Sequence, residues 1–171
     1  MVLITIILNV LPSIILYLIY KFGQRWINDD ISKVKDPNIK ESIFYSFCIS
    51  FIGFNLITSI MSLFIENTES TLTQTPIMYI YAVLFSPIFE ELICRKLIQN
   101  KVSKYTNIKL SILISAIIFA TLHFNIIGLP GYLFIGIVWG WYYHKTNNII
   151  VPIMSHFLFN YITLLIQSLK G

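Results

Sequence analysis

Six polar side chains interrupt apolar stretches of this chain at helical spacings. Glu90, Glu91 and Arg95 lie in FEELICR, His123 in FATLHF, and His156 and Asn160 in SHFLFN. Glu91 and Arg95 stand at i and i+4 and share a helix face, so they can neutralise each other. Glu90 projects about 100° away from Glu91 and is expected to lack a local partner. His156 and Asn160 are also at i and i+4 and point to one place. Phe119 precedes His123 by four positions and is placed to wall the same pocket.

The chemistry these types can do is hydrolytic. Apolar surroundings disfavour the charged form of a carboxylate, which suits Glu90 as a general base taking a proton from water. Imidazole and amide groups nearby can hold that water or stabilise an oxyanion. Glu90, His123, His156 and Asn160 are therefore the candidate catalytic residues for cleaving a carbonyl compound such as a peptide bond. Glu91 and Arg95 are read as a supporting ion pair. Two histidines and a carboxylate with an open position are also a plausible zinc set, in which Glu90, His123 and His156 would hold the ion. A divalent metal such as zinc and a metal-free site both stay open at this point. Asn is a poor zinc ligand, which favours Asn160 as an oxyanion donor.

The elements that position these groups must be membrane helices. The chain has 171 residues, 56% hydrophobic and 12% charged, against about 25% charged in an average soluble domain. Runs of about 20 apolar residues can each cross a bilayer. They are expected at Val2 to Tyr20, Ser42 to Ile65, Pro76 to about Asn100, about Lys109 to Ile127, Leu129 to Tyr143 and Ile149 to Leu169. The fold class is thus an all-α, polytopic bundle of about six transmembrane helices. The N-terminal stretch has no basic n-region and no A-x-A cleavage site, and is expected to be a retained helix. Cys48 and Cys94 both lie in apolar segments without a CxxC pair, so no disulfide or thiolate-metal framework is expected.

Lysine and arginine fall in alternate loops: Lys21, Arg25, Lys33, Lys35 and Lys40 in the first, Lys96, Lys101, Lys104 and Lys109 in the third, and Lys145 in the fifth. Positive charge marks the cytoplasmic side, so the odd loops are expected there. The net charge of +4 then reads as topology, with the lipid bilayer as partner and no nucleic acid. At about 1.5 Å per residue, Glu90 and His156 come out roughly 10 Å from the cytoplasmic edge of a ~30 Å core, Asn160 roughly 17 Å and His123 roughly 20 Å. Groups from three helices therefore converge. Gly136 and Gly140 form a GxxxG in the fifth span, a close-packing signal.

The residues EELICR, FATLH and HFLFN read as EExxxR, FxxxH and HxxxN, in that order. This resembles the CPBP family of intramembrane proteases, which spans CAAX-processing enzymes and bacteriocin-processing or immunity proteins, also called Abi. The resemblance covers about Thr75 to Leu165. Residues 75–171 are accordingly expected to form the catalytic core, and residues 1–74 two N-terminal helices with their loops. The resemblance implies an endopeptidase in which Glu90 activates water, His123 and His156 position it or bind metal, Asn160 supports the oxyanion, and Glu91 and Arg95 hold the geometry. It also implies a peptide or membrane-protein substrate; the apolar spans and the richness in Ile, Asn and Lys point to a multi-pass place in a bacterial cell membrane. Two readings from other classes compete: an ion-coupled small transporter using Glu and His as a relay, and a non-catalytic bacteriocin self-immunity protein.

Overall fold

In the computed structural model, residues 20, 21, 24, 27, 28, 30–64 and 79–170 are described. The expected first span from Val2 lies almost wholly outside them, as does the expected helix start at Pro76. All regular structure among the described residues is helical. Helix α1 is Pro37–Met61. Helix α2 is a continuous run of four stretches, Tyr81–Phe85, Ser86–Glu91, Leu92–Gln99 and Asn100–Ser103, of which the first and third are wound as π-helix. Helices α3, α4 and α5 are Ile108–Thr121, Leu129–Thr146 and Ile150–Lys170.

The boundaries follow from local chemistry. Helix α1 starts earlier than the expected Ser42 because Asp36 caps it, accepting the Asn38 N–H at 2.9 Å, and Pro37 suits the first turn. Asn107 caps α3 by accepting the Leu110 N–H at 2.9 Å. Helix α3 stops at Thr121, well short of the expected Ile127. Phe124 has φ 48°, a left-handed conformation that does not continue an α-helix, so the chain turns immediately after His123. That histidine, expected inside the fourth span, sits in the turn beyond the helix end. Fourteen residues reach only about 21 Å, less than the ~30 Å hydrocarbon core. Helix α4 runs past the expected Tyr143 to Thr146, and Asn147 caps it in a left-handed conformation with φ 47°.

Among the described residues two helices, Pro37–Met61 and Ile150–Leu169, are long and apolar enough to cross a membrane. Phe44, Ile52, Leu56 and Ile60 on α1 are exposed, as lipid-facing side chains would be, while Ser42, Ser46 and Ser50 are buried. Helix α4 packs between α3 and α1, and α5 lies against α1, α2 and α4. The glycine pair allows that approach: a Cβ on Gly136 would come 3.1 Å from the Ala116 Cα of α3, and one on Gly140 2.9 Å from Gln99 Oε1 of α2.

A long-range clamp sits at the start of α5. Asp30 is buried; its Oδ2 accepts the Ile149 N–H at 2.9 Å and pairs with Lys96 Nζ of α2 at 3.0 Å. Asn148 donates to the Asp30 carbonyl at 3.0 Å. One carboxylate thus ties together the two helices that carry Glu90 and His156. Asp30→Ala leaves the buried Ile149 N–H without its acceptor and Lys96 with only the Tyr143 ring, and is expected to cost about 2 kcal/mol, read as a lower unfolding midpoint in detergent. An unchanged midpoint would show that the clamp contributes nothing.

Candidate active site

Glu90 and Glu91 point in different directions, as helix geometry requires, and meet different surroundings. The Glu91 side chain is fully buried, whereas that of Glu90 is 30% exposed. Arg95 Nε donates to Glu91 Oε2 at 2.7 Å, and Arg95 Nη1 donates to Ser115 Oγ of α3 at 2.9 Å. Ser115 in turn donates to the Cys94 carbonyl at 2.7 Å. The Arg95 guanidinium also lies 5.6 Å from the Phe119 ring centroid. The expected ion pair is therefore present, and it bolts α2 to α3.

The other oxygen of Glu91 faces His156 Nδ1 at 3.2 Å. His123 Nδ1 lies 2.9 Å from the Phe119 carbonyl. A carbonyl can only accept, so His123 Nδ1 carries the proton and Nε2 presents a lone pair when the ring is neutral. An ionised carboxylate sets the same tautomer in His156. Both Nε2 atoms then face Glu90 Oε2, His123 at 3.9 Å and His156 at 4.0 Å. Glu90 Oε2 is shielded from solvent and accepts no hydrogen bond from the described residues.

These separations are too long for direct hydrogen bonds. They suit one water reaching about 2.8 Å to each of two neighbours. A tetrahedral zinc with bonds of about 2.0–2.1 Å would hold its donors roughly 3.3 Å apart. The Glu90 Oε2 atom stands 3.9 and 4.0 Å from the two Nε2 atoms, wider than that, and no group of three or more His, Cys, Asp or Glu side chains among the described residues has a metal-holding arrangement. In this geometry the trio does not fit an ion.

Rings fix both imidazoles. Tyr132 stacks on His123, with centroids 4.0 Å apart and planes at 23°. Trp139 stacks on His156 at 4.2 Å and 23°. Phe119 meets His156 edge-on at 5.8 Å and lies 4.7 Å from His123. The motif reading missed Tyr132 and Trp139. Their separation of seven positions on one helix puts them on a common face, but nothing in their type says that the face looks at histidines.

Asn160 departs from the simplest expectation. Its Nδ2 donates to the Ala82 carbonyl of α2 at 2.8 Å, leaving one amide hydrogen for other use. Glu90 does have a local partner, contrary to expectation: the Ser86 hydroxyl donates to Glu90 Oε1. Cys94 is buried. The structure thus brings Glu90, His123 and His156 together, seats Glu91 and Arg95 behind them, and engages Asn160 with the backbone of α2.

A protein-family model described as type II CAAX prenyl endopeptidase Rce1-like matches residues 71–162, a span that contains all six motif residues. Among curated proteins, the chain is 33% identical over 105 residues to a Bacillus subtilis (strain 168) protein named "Putative membrane peptidase YdiL"; the match covers 60% of this chain and 43% of that protein. The chain spans less than half the length of this relative. No solved structure matches this chain.

Proposed function

The chain belongs to the Rce1-like family of type II CAAX prenyl endopeptidases, and on that premise we propose that it is a multi-pass membrane endopeptidase that cleaves peptide bonds with a Glu90-activated water. The observation that carries this reading is the convergence of both Nε2 atoms on Glu90 Oε2 at 3.9 and 4.0 Å. A water there lies between three acceptors and has only two hydrogens to give.

Glu90 takes a proton as the water oxygen attacks the scissile carbonyl. The free N–H of Asn160 is the candidate donor to the oxyanion. The proton collected at Glu90 then passes to the leaving amine. Glu91, neutralised by Arg95, orients His156 from behind and takes no part in bond making. The exposed Phe124 and Ile126 just after His123 support a membrane-associated peptide or protein as substrate.

The test is cleavage of a membrane-peptide library by the purified chain, read by mass spectrometry, with and without a chelator. Products that form with wild type, vanish in Glu90→Gln and survive the chelator are expected. No Glu90-dependent product would overturn the protease reading, and chelator-sensitive cleavage would overturn the metal-free form of it.

A further inference from the structure

The stretch Ser86-Pro87 lies where α2 changes winding, one turn ahead of Glu90. The Ser86 N–H reaches back to the Tyr81 carbonyl, an i to i−5 bond. Pro87 has no N–H at all. The Ala82 carbonyl therefore loses both backbone donors that a helix of either pitch would offer it, at i+4 and i+5. A carbonyl without a donor is costly where water is scarce; the Ala82 carbonyl is part-buried, and the Asn160 side chain of α5 supplies a donor at 2.8 Å. This bond is a register pin. It holds the turn that begins at Ser86 against the helix that carries His156. π-Helical insertions of this kind recur at functional sites because they re-aim the side chains that follow them.

The pinned turn decides where Ser86 points. At i−4 from Glu90, its hydroxyl donates to Glu90 Oε1. That occupies one carboxylate oxygen and leaves Oε2 turned toward the two Nε2 atoms. Deepening the protease reading on which it rests, we propose that Ser86 is the positioning residue of Glu90: it fixes the carboxylate rotamer so that Oε2 is the oxygen that meets the water. The Glu90 side chain is 30% exposed and has three rotatable bonds, and nothing else among the described residues donates to either of its oxygens.

Ser86→Ala is expected to lower kcat about 10- to 100-fold with KM little changed, and Ser86→Thr, which keeps the hydroxyl, to recover most of it. Ala is a good helix former, so the fold should persist, and a general packing defect would not be rescued by Thr. A second measurement does not depend on turnover. The infrared carboxylate band of Glu90, isolated by subtracting Glu90→Gln spectra, should move in the Ser86→Ala background and return in Ser86→Thr. A band that stays in place overturns the inference whatever the activity. A band that moves in a chain with no Glu90-dependent cleavage upholds the hydrogen bond and overturns the protease reading instead.

Discussion

Glu90→Gln is expected to reduce kcat by about 10²- to 10⁴-fold, the usual contribution of a general base, while the purified protein keeps its wild-type unfolding midpoint. The two halves of this expectation rest on different atoms. Gln matches Glu in shape and its amide oxygen can still accept from Ser86, so the side chain stays where it is. Its NH2 group then faces His123 and His156 as a donor and cannot take a proton from water. The Glu90 side chain is 30% exposed, so removing its charge strands no fully buried partner. Initial rates across a substrate series, paired with thermal melts in one detergent, would check both halves. Activity within about tenfold of wild type would show that the base is elsewhere, and a collapsed melt would show that Glu90 is structural.

How much of this was legible in the sequence depends on the distance over which each feature is encoded. Glu91 with Arg95 was readable because i, i+4 spacing on a helix is a local fact, and the structure gives that pair at 2.7 Å. Phe119 was readable as a pocket wall for the same reason, although its backbone carbonyl is what sets the His123 tautomer. Ser86 obeys the same i, i+4 rule and could have been found; serine in an apolar run is too common to stand out. The end of α3 was misjudged because hydropathy continues through Phe124 and Ile126, whereas the helix is stopped by a backbone angle. The π-wound stretches of α2 are invisible to a 3.6-residue pattern, although Pro87 was there to suggest a missing donor. Asp30 was beyond reach: its partners Asn148 and Ile149 are more than 100 positions away, and nothing in the residues around Asp30 announces them.

The largest effect on stability is expected from Arg95→Met. Arg95 is fully buried, joins Glu91, Ser115 and the Phe119 ring, and leaves only one guanidinium nitrogen without a partner. Removing it leaves the fully buried Glu91 with His156 as its remaining hydrogen-bond partner. Breaking one side of a buried ion pair costs about 3–5 kcal/mol, a large share of a typical stability of about 5–15 kcal/mol. The single variant should therefore express poorly or melt far below wild type. Arg95→Met combined with Glu91→Leu removes both charges, and apolar replacements of a buried pair are often neutral, so most of the midpoint should return. Activity should not return with it, because His156 has then lost the carboxylate that orients its ring. The coupling between the two sites, measured as the double-variant midpoint against the sum of the singles, separates a structural bolt from a catalytic pair. Arg95→Met melting within about 1 kcal/mol of wild type would mean that water or lipid already neutralises Glu91, and that the site is far more open than its burial implies.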